Sequence, residues 1–206
     1  MSRWIVGLVF FVGWAVACQG ASDKKEKAKA PGPLLEGKKV AMIIAHRNFR
    51  DEELLTPQRL LEKQGVEVTV VCSRPGEAQG MLGAKVKPDE VLDSLKVEAY
   101  DAVVFVGGAG AKEYWDHPKA HAIARSALGS GKWVCAICIA PVTLANAGVL
   151  EGKRATVWAS EAGRIQEKGA TYTGAAVEVD GHVITANGSG AARRFAEAII
   201  AALKAR

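Results

Sequence analysis

Short, continuously apolar runs alternate with segments of helical periodicity along this chain, and this alternation limits its fold most strongly. Four of the runs are "KVAMIIA" (39–45), "VEVTVVC" (66–72), "YDAVVFVGG" (100–108) and "KWVCAI" (132–137). Strands buried on both faces of a parallel sheet have this pattern, because neither face needs polar side chains. The sequence therefore predicts a doubly wound α/β fold with a mostly parallel sheet and helices on both faces.

The segment between the first two runs, "DEELLTPQRLLEKQG", has the pattern of an amphipathic helix, and Gly65 is its predicted C-terminal cap. Four leucines are expected to line its apolar face: Leu54, Leu55, Leu60 and Leu61. Near the end of the chain, alternating residues on both sides of Asp180-Gly181 indicate a hairpin. The last 16 residues, "AARRFAEAIIAALKAR", predict a closing helix.

The start of the chain is typical of an export signal. Arg3 precedes an apolar stretch, and small residues lead to Cys18. "AVAC" resembles the lipobox of bacterial lipoproteins, in which the cysteine becomes the lipidated first residue. Two alternatives stay open: plain secretory cleavage nearby, because Ala15 replaces the more usual leucine, and a permanent anchor, for which the run is short of the roughly 20 residues needed.

The expected organisation is therefore a signal peptide over residues 1–18, a flexible tether over residues 19–37 and one domain over residues 38–206. We expect an exported lipoprotein of the cell envelope that faces the periplasm and is held to the membrane only by its N-terminal lipid. Gln19 resembles the residue that sends Gram-negative lipoproteins to the outer membrane.

The net charge of +5 does not indicate a nucleic-acid partner. Residues 1–30 hold 5 of the 27 Lys and Arg and only 2 of the 22 Asp and Glu. The rest of the chain is nearly balanced, so the domain has no basic surplus for a polyanion. The tether lysines favour an anionic membrane surface or simply increase solubility.

The stretch "KWVCAICIAP" (132–141) places two cysteines in different settings. Cys135 falls inside an apolar strand, whereas Cys138 falls on a tight strand-to-helix turn, where a helix N-terminus favours a thiolate and backbone N–H groups can hold an oxyanion. This is the cysteine counterpart of a nucleophile elbow. A redox pair of Cys135 and Cys138 remains an alternative. A metal site is not supported, because the sequence has no second pair of ligands. Cys72 is expected to be a small core residue.

Other candidates also follow the apolar runs, where ligands bind in open α/β sheets. Glu53 lies at the start of a predicted helix, where a carboxylate interacts favourably with the helix dipole. If it faces Cys138 instead, it would act as an acid that holds a proton next to the thiol. The pair Gly107-Gly108 would form a tight turn or supply an oxyanion N–H. His46, after the first run, would assist the chemistry or simply occupy a turn.

Taken together, four stretches resemble the ThiJ/PfpI superfamily over residues 38–203: "FRDEELLTP", "YDAVVFVGG", "AICIAPVTLANAGVLEGKRAT" and "VDGHVITANGSGAARRFAEAII". The resemblance implies a flavodoxin-like fold, often dimeric. By position, it makes Cys138 the nucleophilic and oxidisable cysteine and Glu53 the protonated glutamate that hydrogen-bonds its thiolate. Gly108 and Ile139 become the backbone donors of the oxyanion hole.

Two departures from that family narrow the expected chemistry. Peptidase-like members have a histidine directly after the cysteine, where this chain has Ile139, and another branch has a histidine where this chain has Trp158. Amide hydrolysis is therefore disfavoured. Trp158 would instead wall the pocket and restrict it to small substrates.

The expected function is a cofactor-independent glyoxalase or deglycase that protects against reactive carbonyl compounds. The thiolate of Cys138 would add to the aldehyde of methylglyoxal or a similar α-oxoaldehyde, and Glu53 would move the proton. Two alternatives stay open: a redox-responsive module based on Cys138, and a non-catalytic, chaperone-like envelope protein.

Overall fold

The structure is a computed structural model that describes residue 1 and residues 34–205. The predicted signal peptide beyond Met1, the lipidated Cys18 and most of the predicted tether lie outside the described residues.

Twelve strands lie within residues 34–205. They are β1 (Lys39–Ile44), β2 (Arg47–Phe49), β3 (Glu67–Cys72), β4 (Ala78–Gly80), β5 (Lys85–Val86), β6 (Glu90–Val91), β7 (Ala102–Phe105), β8 (Trp133–Ile137), β9 (Arg154–Ala155), β10 (Thr171–Tyr172), β11 (Val177–Asp180) and β12 (Val183–Ala186).

Five α-helices lie in the same part of the chain. They are α1 (Asp51–Lys63), α2 (Pro118–Gly129), α3 (Pro141–Asn146), α4 (Ala162–Gln166) and α5 (Ala192–Lys204). Both α2 and α3 begin with a proline, whose missing N–H is not needed at the first helical position.

Seven strands form the central sheet in the order β11-β12-β8-β7-β1-β3-β6. Every neighbouring pair is parallel except β11 and β12, which form an antiparallel hairpin at one edge. Asp180 pairs with Val183 across the hairpin turn, and Gly181 has a φ of +57°, which glycine adopts without strain. The predicted mostly parallel α/β sheet and its hairpin are confirmed.

The sheet separates two apolar layers, and the helices cover both faces. Side chains of α2, α3 and α4 pack on one face, and side chains of α1 and α5 pack on the other. Strand β1 serves both layers, because Ala41 and Ile43 point into the first and Met42 and Ile44 into the second. All four are completely buried, which explains why this strand is a continuous apolar run.

The apolar face of α1 is narrower than expected. Leu54 and Leu61 are fully buried, but Leu55 is 45% exposed. Adjacent residues lie about 100° apart around a helix, so Leu54 and Leu55 cannot both face the sheet.

A small second sheet, β2-β4-β5, has no counterpart in the expected pattern. Asp51 connects it to α1, because its carboxylate accepts hydrogen bonds from the N–H groups of Leu82 (2.9 Å) and Ala84 (2.8 Å). This attachment holds Met81 beside the start of α1. Across residues 34–205, none of the helices has the length and apolar character needed to cross a membrane.

Candidate active site

The topology places a crevice at the carboxyl ends of the central strands. From β1 the chain crosses to β3 on one side, whereas from β7 it crosses to β8 on the other side. Adjacent strands β1 and β7 therefore flank the point where the winding direction reverses, which is where ligands bind in open α/β sheets. Glu53 follows β1, Gly107 and Gly108 follow β7, and Cys138 follows β8.

Cys138 lies on a strained turn between β8 and α3. Its φ is +63°, a conformation that residues other than glycine seldom adopt. The backbone is held on both sides, because the Cys138 N–H donates to the Ala186 carbonyl (2.9 Å) and the Trp158 N–H donates to the Cys138 carbonyl (2.8 Å). The turn projects the thiol away from the sheet and leaves it partly exposed.

Glu53 lies in the first turn of α1 with only 1% of its surface exposed. A side chain at position 107 would collide with both Glu53 Oε2 and Cys138 Cβ, so these atoms border the same small space. Gly107 is therefore required for the carboxyl group to reach the cysteine. Oε2 of Glu53 is buried and has no hydrogen-bond partner among the described residues.

Gly108 has a φ of +99°, and a Cβ there would collide with the backbone of residues 48–50. This close approach brings its N–H to Cys138. The N–H groups of Gly108 and Ile139 both favour the charged form of the thiol and lower its pKa. Gly107 differs from Gly108 in its role, because its N–H faces the Glu53 carboxylate.

Burial shifts the pKa of both titrating groups upward. Burial raises the pKa of Glu53 to about 7, and the Cys138 thiol and Arg50 offset this only in part. Burial and the Glu53 charge together raise the pKa of Cys138 to about 12, against the effect of the two N–H groups. The pair therefore retains a proton across the neutral pH range.

This result changes one expectation. A helix N-terminus was expected to stabilise a Cys138 thiolate, but α3 has only 6 residues and the buried Glu53 lies beside the sulfur. In the free site the thiol instead keeps its proton at neutral pH, because burial and the Glu53 charge raise its pKa.

A cavity of about 340 Å³ opens above the thiol, which is large enough for a small metabolite. Trp158, 51% exposed, forms part of its wall, and its ring packs against Gly188, where a Cβ would lie 2.8 Å from the indole. The structure thus brings together six predicted residues: Cys138, Glu53, Gly107, Gly108, Ile139 and Trp158.

The other cysteines and His46 lie elsewhere. His46 is not part of the cavity lining, and its Nδ1 instead lies 3.8 Å from Cys72 Sγ. Cys135 is fully buried inside β8, and Cys72 is fully buried at the end of β3. Within the described residues Cys72, Cys135 and Cys138 are all free thiols.

Several residues of this site were not expected from the sequence. The cavity lining includes Arg50, Met81, Lys112 and Glu161. Arg50 lies between His46 and Glu53, within the segment already considered after β1, whereas Lys112 lies beyond Gly108, so only a wider search after β7 would have included it. In the part of the chain that the structure describes, no three His, Cys, Asp or Glu side chains are grouped closely enough to hold a metal ion.

The fold and site together define a class of protein: a doubly wound α/β domain with a cysteine on a strand-to-helix elbow and a buried glutamate beside it. The chain belongs to the DJ-1/PfpI family, whose sequence pattern matches residues 38–202.

Similar proteins agree with this assignment. An uncharacterised protein of Methanocaldococcus jannaschii is 41% identical over 187 residues, which is 89% of this chain and 88% of that protein. A deglycase of Pyrococcus horikoshii is 33% identical over 144 residues, or 70% of this chain and 87% of the deglycase. The crystal structure of a ThiJ/PfpI domain protein from Brachyspira murdochii has a TM-score of 0.81 at 29% identity, covering 83% of this chain and 98% of that one. The family includes proteins named deglycase and glyoxalase.

Proposed function

We propose that this protein is a cysteine-dependent glyoxalase or deglycase that acts on α-oxoaldehydes or their adducts. The observation that carries the proposal is the arrangement at Cys138: a strained elbow thiol, two N–H groups facing it, and a buried carboxyl group beside it. The names of the related deglycase and glyoxalase proteins support the same reaction class.

In the first step, Glu53 accepts the thiol proton and the sulfur of Cys138 adds to the aldehyde carbon. The C=O bond becomes a C–O⁻ group, which the N–H groups of Gly108 and Ile139 stabilise. The product is a hemithioacetal after this oxygen takes the proton that Glu53 accepted from the thiol, which returns Glu53 to its carboxylate form.

In the second step, Glu53 removes the proton on the former aldehyde carbon and returns it to the neighbouring ketone carbon, while the hydroxyl proton of the hemithioacetal passes to the ketone oxygen. The aldehyde carbon is oxidised to a thioester while the ketone is reduced to an alcohol, so no external oxidant or reductant is needed. Water then hydrolyses the thioester to a 2-hydroxy acid and frees the thiol. Since the pKa of Glu53 is about 7, its carboxyl can take and return protons near neutral pH.

Peptide hydrolysis fits this site less well. No histidine is present among the described residues that line the cavity, so the amine leaving group of an amide would lack its usual proton donor. A hemithioacetal or a thioester requires no such donor.

The direct test is consumption of methylglyoxal and formation of lactate by the wild-type protein, Cys138→Ser and Cys72→Ala. We expect turnover in the wild type, loss of more than about 100-fold in Cys138→Ser because the nucleophile is removed, and turnover within twofold of wild type in Cys72→Ala. Equal rates in wild type and Cys138→Ser would refute the proposal.

We also propose that the protein is exported as an envelope lipoprotein through residues 1–18 and that it works as a homodimer. The first proposal depends on the sequence pattern around Cys18, and the second on the resemblance to a family that is often dimeric.

A further inference from the structure

Four charged side chains line the cavity above Cys138, and two of them are neutralised by neighbours. Arg50 is paired with Glu52 (Nε to Oε2, 2.8 Å), and Glu161 is paired with Arg164 (2.8 Å). Glu53 is the buried acid at the thiol. Lys112 is the remaining charge, and no carboxylate within the described residues forms an ion pair with it.

Lys112 contacts Trp115, which is hydrogen-bonded to the nucleophile elbow. Its Nζ lies 5.4 Å from the centre of the Trp115 ring, within the range of a cation–π contact. The indole Nε1 in turn donates to the carbonyl of Ile139 (3.1 Å), the residue after the nucleophile. The backbone of Trp115 is also held, because Asn146 Nδ2 donates to its carbonyl (2.9 Å).

The position of this cation has a chemical consequence for the substrate. The aldehyde group must lie at Cys138, so the remainder of the substrate extends into the same cavity that Lys112 lines. An ammonium group with no internal partner favours an anion there, whereas a neutral methyl group gains nothing from it.

We propose that Lys112 binds a substrate carboxylate while its ammonium group contacts the Trp115 ring. The preferred substrates would then be 2-oxoaldehydes that carry an acidic group. This inference rests on the proposed function. A suitable probe is 4,5-dioxopentanoate, which has the same reacting carbons as methylglyoxal and a carboxylate two methylene groups away. With one water it would give 2-hydroxyglutarate: the aldehyde carbon is oxidised to a carboxylate and the ketone is reduced to an alcohol.

The first experiment compares kcat/KM for 4,5-dioxopentanoate and methylglyoxal in the full-length protein and three variants. Lys112→Met should lower the value for 4,5-dioxopentanoate by about fivefold, as expected for one partly exposed ion pair, and change that for methylglyoxal by less than twofold. Lys112→Arg should restore the preference. Lys119→Met is the matched control, because Lys119 does not line this cavity, and it should change neither value.

A second experiment needs no turnover. Cys138 is alkylated with iodoacetate, an anion, and with iodoacetamide, its neutral counterpart, and the two rates are measured on the Cys138 peptide by mass spectrometry. Lys112→Met should lower the iodoacetate-to-iodoacetamide rate ratio by about fivefold at low salt, and the difference should shrink in high salt. Lys119→Met should leave the ratio unchanged.

The two experiments separate the two proposals. An alkylation ratio that Lys112→Met does not change would overturn the carboxylate site, whatever the activity. A ratio that falls as expected in a protein inactive on both aldehydes would support an anion-binding site at Lys112 and refute the glyoxalase chemistry. Equal loss of kcat/KM for both aldehydes in Lys112→Met would also overturn the inference, because it would indicate a role independent of substrate charge.

Discussion

At the scale of single residues, the site depends on the balance between Glu53 and Cys138. Burial raises the pKa of both groups, and the Glu53 charge raises that of Cys138 further, whereas the Cys138 thiol lowers that of Glu53. The thiol therefore resists ionisation in the free protein, and in the proposed mechanism it becomes nucleophilic when the Glu53 carboxylate accepts its proton.

Replacing Glu53 with glutamine should separate the reactivity of the thiol from catalysis. Glutamine cannot accept the proton, so kcat/KM for methylglyoxal should fall by about 100-fold or more. The same change removes the negative charge that raises the pKa of Cys138, so alkylation of Cys138 by iodoacetamide should become faster at pH 8 to 9. Rate profiles against pH provide both readings, and a simple folding defect would not move them in opposite directions.

The raised pKa of Glu53 also predicts how stability depends on pH. Between the ordinary value of 4.5 and about 7, the folded protein holds a proton on Glu53 that the unfolded chain has lost. Stability should therefore fall as the pH rises through this window, by up to about 3 kcal/mol, and level off above it. Urea unfolding at several pH values measures this trend.

The control for this measurement is Glu53→Gln, which has no proton to lose. The difference in unfolding free energy between wild type and variant should slope downward from pH 4.5 to 7. A difference that stays constant across that range would show that the carboxyl does not titrate as described.

At the scale of elements, the turn after β7 determines whether the site can assemble. A Cβ on Gly107 would lie 2.5 Å from Cys138 Cβ and 2.7 Å from the Ile137 carbonyl, and it would also collide with Glu53. We expect Gly107→Ala to cost about 1–3 kcal/mol of stability through overpacking. It should also abolish methylglyoxal turnover, because Glu53 and Cys138 would be pushed apart.

Gly129→Ala is the matched control for this change. Gly129 ends α2, and a Cβ there has no neighbour within 4 Å. This variant should keep full activity and be equally or slightly more stable, since alanine is the better helix former. Normal turnover in Gly107→Ala would contradict the tight contact described above.

The elements differed in how far the sequence could predict them. The strands β1, β3, β7 and β8 and the elbow at Cys138 were predictable, because continuous apolar runs and a proline three residues after a cysteine are local signals. The strands β2, β4 and β5 were not, since segments of two or three residues have no measurable periodicity.

Within the site, the sequence predicted the residues that carry the chemistry better than the residues around them. Lys112 lies near the elbow because it contacts Trp115, whose indole N–H donates to the carbonyl of Ile139, 24 residues further along the chain. The raised pKa of Cys138 also depends on burial and on Glu53, neither of which can be read from the turn sequence alone. Tertiary contacts decide both features.

At the scale of the whole molecule, the described domain carries the complete proposed site, and the N-terminal segment would determine where that site works. If residues 1–18 are processed as a lipoprotein signal, the mature chain begins at Cys18 with its thiol blocked by lipid. Among the described residues, Cys138 is the one cysteine that is not fully buried, because Cys72 and Cys135 are completely buried. Lipid attachment would thus leave one reactive thiol at the membrane surface.

Intact mass spectrometry of the protein from a bacterial host with lipoprotein processing tests this arrangement. We expect the wild type to lose residues 1–17 and to gain the mass of the attached lipid, because the lipobox cysteine becomes the new N-terminus. Cys18→Ala should keep residues 1–17, since the site of lipid attachment is gone, and its domain should retain methylglyoxal turnover. A wild-type protein that still begins at Met1, or that is cleaved elsewhere without lipid, would refute the lipoprotein proposal while leaving the chemistry of Cys138 untouched.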